Sequence, residues 1–124
     1  MIVKDGKRVI YVAGAYSANH ILDVFDNMRI GIETSTKLFQ LGFSPFAPWL
    51  DYHFCLQLPR EHLSVGRFYD YSIDFLQRCD AVLVVDNQRN IGSSGTNKEL
   101  AKANELGIPV FYTLQDLLDW EKND

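Results

Sequence analysis

The segment Asp80-Ala-Val-Leu-Val-Val-Asp86 decides the fold class of this chain. An unbroken apolar run between two acidic ends is typical of a strand that is buried on both faces, as the strands of parallel sheets are. The run Arg8-Val-Ile-Tyr-Val-Ala13 repeats this pattern and is followed by Gly14. We therefore expect both runs to be central strands of one parallel sheet.

A long helix is predicted between the first strand and a short second strand at 43–47. Ser17 or Asn19 can provide its N-cap, and Gly42 is expected to end it. Apolar side chains recur through this segment at the three-, four- and seven-residue intervals of one helical face, which we expect to be buried. These residues are Ile21, Phe25, Met28, Ile32 and Phe39.

Strands and helices continue to alternate to the end of the chain. The remaining predicted elements are helices at 65–77, 96–106 and 114–122 and a fourth strand at 108–112. Such alternation predicts an α/β fold, a small doubly wound, Rossmann-like or flavodoxin-like parallel sheet of four to five strands with helices on both faces. Residues 1–124 are interpreted as a single domain, because a second core would not fit within this length.

Composition and charge exclude several classes of function. The chain is 47% hydrophobic and 23% charged, which is typical of a globular domain. Its net charge of −4, without a basic block, argues against nucleic-acid polymers and anionic membranes as partners. Cys55 and Cys79 are isolated thiols, which fits a reducing compartment and argues against a disulfide framework or a cysteine zinc site. We expect a cytoplasmic protein that needs neither a cofactor nor a metal.

The functional site is expected at one edge of the sheet. Ligands of open parallel sheets bind beyond the carboxyl ends of the strands, which brings together residues 14–17, 47–53 and 86–96. Neither GxGxxG nor GxxxxGK[ST] is present, so the usual dinucleotide and nucleoside-triphosphate sites are not predicted. The segment Gly92-Ser-Ser-Gly-Thr96, at the start of a predicted helix, still offers hydroxyls and backbone N–H groups to a phosphate or carboxylate.

Glu99 has two possible roles on spacing alone. Thr96-Asn-Lys-Glu99 has the pattern of a capping box, in which Thr96 and Glu99 would each bond the other's backbone N–H. Glu99 also lies one turn inside a helix whose N-terminus faces the predicted site. Both interpretations remain open at this stage.

The order of these segments resembles the nucleoside 2-deoxyribosyltransferase superfamily, including its 2'-deoxynucleoside 5'-monophosphate N-hydrolase branch. The resemblance covers nearly the whole chain. It is carried by Ile10-Tyr-Val-Ala-Gly14, Leu41-Gly42, Pro45-Phe-Ala-Pro48, Asp74 before Cys79-Asp-Ala-Val-Leu-Val-Val85, Ser94-Gly-Thr96 with Glu99, and Ala103 before Gly107-Ile-Pro-Val110.

The resemblance implies catalytic roles for three residues. Glu99 matches the nucleophilic carboxylate, Tyr11 the strand tyrosine that orients it, and Asp74 the acidic residue that protonates or holds the base. A retaining displacement at an anomeric carbon uses such a pair of acidic groups, one ionised and one that assists the leaving group. The resemblance also implies a homodimer or larger homo-oligomer in which a neighbouring subunit completes each pocket.

Ser93 bears on the class of substrate. The transferase branch tends to carry an acidic residue at this position, which holds the sugar 5'-hydroxyl, whereas the hydrolase branch carries serine. Together with the backbone N–H groups of Gly95 and Thr96, Ser93 would accept a 5'-phosphate. The aromatic loop after the second strand, with His53 in it, lies where the family encloses the base. The expected substrate-binding residues are Gly14, Tyr16, Trp49, His53, Ser93, Ser94, Gly95 and Thr96.

The main prediction is cleavage of the N-glycosidic bond of a 2'-deoxynucleoside 5'-monophosphate through a glycosyl-Glu99 intermediate. Two alternatives stay open: base exchange on deoxyribonucleosides, and a non-catalytic module that senses a nucleotide. Tyr11, Asp74 and Glu99 favour an enzyme, because a sensor needs no nucleophile. The small-molecule partner is therefore a deoxynucleoside or deoxynucleotide.

Overall fold

The computed structural model of the chain describes residues 8–85 and 94–123. Its strands are β1 (Val9–Ala13), β2 (Ser44–Phe46), β3 (Ala81–Val84) and β4 (Val110–Phe111). Its α-helices are α1 (Ile21–Gln40), α2 (Tyr52–Cys55), α3 (Val65–Leu76), α4 (Ser94–Leu106) and α5 (Leu114–Lys122). Short 3₁₀ turns cover Pro48–Asp51 and Arg60–His62.

The four strands form one parallel sheet in the order β2-β1-β3-β4. After β1 the chain moves outward to β2 and then returns to place β3 on the other side of β1. This reversal puts the switch point of the sheet at the carboxyl ends of β1 and β3. The predicted small doubly wound parallel α/β fold is confirmed.

Two apolar clusters, one on each face of the sheet, form the core. On the first face Ile10 and Val12 pack with Met28 of α1 and Leu117 of α5. The second face is covered by α3 and α4, and the residues buried there are Tyr11, Ala13, Ile73, Leu76, Cys79, Val82, Val84 and Ala103. Successive residues of β1 therefore point alternately to the two faces, as a strand buried on both sides requires.

The buried face of α1 differs from the predicted stripe. Ile21, Phe25 and Phe39 are 59%, 48% and 72% exposed. The buried residues of this helix are Asn27, Met28, Gly31, Ser35 and Leu38. Gly31 lies inward because the large indole of Trp49 occupies the space beside it. The predicted stripe was therefore wrong at its two ends.

Of the two predicted ends of α1, the C-terminal one is confirmed and the N-terminal one is wrong. The N-cap is His20, whose Nδ1 accepts from the backbone N–H of Leu22 at 3.1 Å, rather than Ser17 or Asn19. At the other end Gly42 has φ 95°, a left-handed conformation that suits glycine and ends the helix as predicted. Gly107, with φ 74°, follows α4 in the same way.

The strand β2 lies at one edge of the sheet. Its Ser44 donates its backbone N–H to the carbonyl of Arg8 at 2.9 Å, so the next residue, Pro45, turns its backbone away from β1. None of the helices in residues 8–85 and 94–123 is both long and apolar enough to span a membrane.

Candidate functional site

Tyr11 and Glu99 form the centre of the candidate site. Tyr11 lies in the middle of β1, is fully buried and points to the face covered by α3 and α4. Glu99 lies on α4, with its Oε2 atom enclosed by protein. The Tyr11 hydroxyl interacts with the Glu99 carboxylate and with the Ser72 hydroxyl, but among the described residues neither this hydroxyl nor Glu99 Oε2 has a partner at full hydrogen-bonding geometry. Two buried polar groups left in this condition are uncommon in folded proteins.

Burial controls the acidity of this pair. It raises the pKa of Glu99 to about 8, and the neighbouring Tyr11 hydroxyl opposes the rise because it favours the ionised carboxylate. Burial also raises the pKa of Tyr11 above its usual value, and the Glu99 charge raises it further. Tyr11 therefore keeps its proton at neutral pH and serves as a potential donor to the Glu99 carboxylate.

Two residues of α3 complete the surroundings of this pair. Ser72 is buried beside Tyr11, where its hydroxyl lowers the tyrosine pKa against the larger effect of burial. The pKa of Tyr69 is raised by burial and then by the charge of Glu99. The ammonium group of Lys98 lies 5.4 Å from the centre of the Tyr69 ring, within cation–π range.

Asp74 is not brought to the Tyr11–Glu99 pair. It is exposed on α3, and its backbone carbonyl accepts from the guanidinium of Arg78. The residue of α3 that faces Tyr11 is Ser72, two positions earlier. Helical spacing could have identified it, because Tyr69, Ser72 and Leu76 recur at intervals of three and four. The role that the resemblance implies for Asp74 gains no support from its position.

Trp49 is a core residue. It is 1% exposed, and its Nε1 donates to the carbonyl of Ala15 at 2.9 Å. The ring packs against Gly31, and Gly14 lies between it and Val85. A side chain enclosed in this way offers no free ring face to a ligand, so the position of Trp49 indicates structural support of the loop after β1.

Tyr16, one of the expected binding residues, is half-buried at the carboxyl edge of the sheet and pairs with Asp51, which the sequence analysis did not single out. The Tyr16 hydroxyl donates to Asp51 Oδ1 at 2.9 Å. Asp51 is 8% exposed, and burial raises its pKa while the Tyr16 hydrogen bond lowers it. The pKa of Tyr16 is raised by burial and then by Asp51. No spacing rule finds this pair, because it joins the loops that follow two different strands.

A row of aromatic rings extends from Tyr11 to the cavity that Asp51 lines. Phe46 of β2 stacks on Tyr11 with ring centres 5.4 Å apart, and Tyr71 of α3 lies 6.2 Å from Phe46. Phe54 meets Tyr71 edge-on at 5.5 Å. A cavity of about 180 Å³ opens beside these rings, and its lining residues are Pro45, Phe46, Ala47, Leu50, Asp51, Phe54 and Tyr71.

The remaining predicted binding residues have different positions. His53 is exposed, with its ring 4.3 Å from that of Tyr52. Thr96 is 3% exposed and lies in the first turn of α4, after Ser94 and Gly95. α4 begins at Ser94, so Thr96 is its third residue rather than the residue that precedes it. Ser93 lies outside the described residues, as does the rest of the predicted loop at 86–92.

The comparisons with known proteins assign no family. No protein-family model matches the chain, and no curated protein matches it significantly. Within the described part of the chain, no three His, Cys, Asp or Glu residues are grouped so that they could hold a metal ion. The Tyr11–Glu99 pair and its surroundings are therefore the features of the chain that bear on its function.

Proposed function

We propose that the protein cleaves the N-glycosidic bond of a 2'-deoxynucleoside 5'-monophosphate, with Glu99 as the nucleophile. One observation carries the proposal: the Glu99 carboxylate, with its Oε2 atom enclosed, lies beside the Tyr11 hydroxyl, and among the described residues neither atom has a partner at full hydrogen-bonding geometry. Buried groups of this kind are concentrated at functional sites. Their place on β1 and α4 agrees with the resemblance in sequence.

The proposed reaction has two displacement steps. In the first, a Glu99 oxygen forms a bond to the anomeric carbon, and the base leaves with the electrons of the C–N bond and takes up a proton from solvent. In the second, water attacks the same carbon and gives up a proton to solvent, which releases 2-deoxyribose 5-phosphate and returns the free carboxylate. Tyr11 keeps its proton in both steps and donates to the carboxylate when it is ionised.

The positive charge that develops on the sugar offsets the cost of an ionised Glu99. Burial disfavours the lone carboxylate, whose pKa is about 8. A cationic sugar in contact with it restores a paired charge, and this pairing is stronger in a low-dielectric site than in water. Ionised Glu99 therefore costs less free energy beside the developing positive charge of the transition state than in the site without substrate.

The 5'-phosphate in this proposal binds at the start of α4. The helix dipole favours an anion at this end, toward which the backbone N–H groups of the first turn point. Gly95 and Thr96 lie in this turn. Ser93 is expected to add its hydroxyl, which an acidic residue at this position would replace with a repelling charge.

A homo-oligomer belongs to the same proposal. The segment from α2 to the start of α3 exposes four apolar residues: Phe54, Leu56, Leu58 and Val65 are 45%, 68%, 47% and 88% exposed. Apolar side chains clustered in this way mark a surface for association. Phe54 also lines the cavity beside Asp51, so a second copy seated here would close the site from water.

The test is incubation with a panel of 2'-deoxynucleosides and their 5'-monophosphates, followed by chromatography of the released base. We expect free base from monophosphates without any acceptor, and none from Glu99→Gln, whose amide keeps the shape but cannot attack as an anion. Far-ultraviolet circular dichroism of the variant checks that the fold is kept.

Two other outcomes would favour the alternatives. Base release that needs a second base as acceptor would identify a deoxyribosyltransferase. Ligand binding without any turnover, equal in the wild type and Glu99→Gln, would identify a nucleotide sensor. Either result would overturn the proposed hydrolysis.

A further inference from the structure

The carboxylate of Asp51 is the most deeply buried acidic group outside the Tyr11–Glu99 pair in the described part of the chain. It has one protein donor there, the Tyr16 hydroxyl at Oδ1. A carboxylate has about four lone-pair positions on its two oxygens, so most of its accepting capacity is unused. A buried acceptor in this condition gains stability from any further N–H donor that reaches it.

The cavity beside Asp51 has the size and lining for such a donor. Its volume of about 180 Å³ is below the roughly 300 Å³ at which sites for whole drug-sized molecules begin, so it fits one flat ring system. The rings of Phe46, Phe54 and Tyr71 supply apolar surface, and Asp51 supplies a carboxylate. Aromatic walls with one buried acceptor favour a planar heterocycle that carries an N–H group at its edge.

The position of the cavity links it to the proposed reaction centre. Phe46 lines the cavity and stacks on Tyr11, which in turn interacts with Glu99. Phe46 is therefore common to the cavity and to the surroundings of Tyr11. The apolar lining suits the base of a nucleotide better than its phosphate, which the proposal assigns to the start of α4.

We propose that Asp51, held by Tyr16, selects the base by accepting a hydrogen bond from an exocyclic amino N–H at its edge. This inference rests on the proposed function for the identity of the ligand as a nucleotide. The inference predicts one preference in affinity. A planar heterocycle with an N–H donor facing Asp51 binds more tightly than the analogue that has a hydrogen or a carbonyl in place of that donor. Tyr16 acts as a positioning residue, because it reaches Asp51 and fixes one of its oxygens.

Two ligand pairs test this selection by calorimetric binding to Glu99→Gln, in which no turnover occurs. The 5'-monophosphates of deoxycytidine and deoxyuridine differ by an amino group against a carbonyl, and those of deoxyguanosine and deoxyinosine by one amino group. In at least one pair we expect the amino-bearing member to bind tenfold or more tightly, because hydrogen bonds to charged groups are worth about 1.5–3 kcal/mol.

When Asp51→Asn is added to Glu99→Gln, the ratio of the two affinities in a pair should fall to within about threefold. The reason is that the asparagine amide can turn its NH₂ toward a carbonyl. Asn keeps the size of Asp and an oxygen for Tyr16, so the fold is expected to survive. The matched control is Asp116→Asn, an exposed aspartate of α5, which should leave the ratio unchanged.

The outcomes separate this inference from the proposed function. A wild type that releases base, with equal binding of both members in both pairs, would overturn the role of Asp51 and leave the hydrolysis intact. A selective ratio that depends on Asp51, in a protein that never releases base, would support the subsite and overturn the hydrolysis. An Asp51→Asn ratio equal to that of the parent would also overturn the inference.

A second variant separates selection from folding. Tyr16→Phe keeps the ring and removes the donor to Asp51, so binding of the amino-bearing ligand should weaken while the preference for it persists. A merely structural role for the pair predicts instead a lower melting temperature with the binding ratio unchanged in both Tyr16→Phe and Asp51→Asn. That result would overturn the proposal.

Discussion

The indole of Trp49 lies so close to Gly31 that a Cβ at position 31 would stand 2.5 Å from ring carbons. No rotation of an alanine methyl relieves this contact, because the Cβ position is set by the backbone. Gly31→Ala should therefore lower the free energy of unfolding by about 1–3 kcal/mol, as overpacking of a core does. Denaturation with urea, followed by tryptophan fluorescence, measures the change.

Gly66 of α3 is the matched control for this experiment. A Cβ there would have Ser64 Oγ as its nearest contact, at 3.6 Å, which is ordinary van der Waals distance. Gly66→Ala should raise the free energy of unfolding by about 0.5–1 kcal/mol, because alanine favours a helix. Equal stability of Gly31→Ala and the wild type would contradict the described packing of Trp49.

The pH dependence of turnover tests the ionised form of Glu99. A nucleophilic carboxylate must lose its proton, and burial sets the pKa of Glu99 at about 8. The kcat/KM is therefore expected to rise about tenfold per pH unit below this value and to level off above it. Tyr11→Phe removes the hydroxyl that lowers this pKa, so the inflection should move to higher pH. A kcat/KM that falls above about pH 8 would identify Glu99 as an acid instead.

The same pKa predicts a pH-dependent stability. In the folded protein Glu99 keeps its proton to a pH of about 8, whereas the unfolded chain releases it near 4.5. The contribution of Glu99 is therefore complete below about pH 4.5, is lost as the pH rises toward 8, and is constant above that. The total loss is on the order of 3–5 kcal/mol.

Glu99→Gln lacks the titrating carboxyl group, so the difference in stability between the wild type and this variant measures the pH dependence that Glu99 causes. Between about pH 5 and pH 8 the free energy of unfolding of the wild type should fall relative to that of the variant, as read from urea titrations at several pH values. Parallel curves for the two proteins would show that Glu99 has an ordinary pKa and would undermine both pH predictions.

Ser93→Asp tests the 5'-phosphate. The new carboxylate would repel a dianion at the start of α4, so kcat/KM for monophosphates should fall about tenfold or more, with a smaller change for nucleosides. The ratio of the two values is the quantity to measure, and Ser93→Ala controls for loss of the hydroxyl. Equal losses on both substrates, or a wild type that prefers nucleosides, would favour the deoxyribosyltransferase.

The oligomeric state can be tested at the apolar surface of Phe54, Leu56, Leu58 and Val65. Sedimentation at micromolar concentration should give a multiple of the 14.2 kDa chain, and Val65→Glu should shift it toward the single chain by burying a charge. Tyr112→Glu, at a 61% exposed position next to β4, is the control. A wild-type monomer that turns over substrate would refute the association and the shared site together.

The sequence predicted the sheet better than it predicted the helix surfaces. Buried parallel strands have continuous apolar runs, which is why β1 and β3 were found within a residue or two. The inward side of α1 depends on which neighbour fills the space, and only the folded chain shows that Trp49 takes it beside Gly31. Periodicity alone counted Phe39 as buried, although it is 72% exposed.

The candidate site shows the same division. The resemblance implied roles for Tyr11, Glu99 and Asp74, and the structure brings Tyr11 and Glu99 together. Asp74 is exposed on α3, whereas Ser72 of the same helix is the residue that interacts with Tyr11. The bond between Tyr16 and Asp51 depends on how two loops meet, which no local pattern in one chain reveals.

Pro45 has a consequence for how copies of this chain can meet. It is the residue of β2 whose backbone points away from β1, and proline has no N–H. The open margin of the sheet along β2 therefore presents a carbonyl but no backbone donor, and an incoming strand from another molecule cannot complete a ladder on it. Self-templated growth into fibrils is blocked at this margin, which restricts association of copies there to side-chain surfaces.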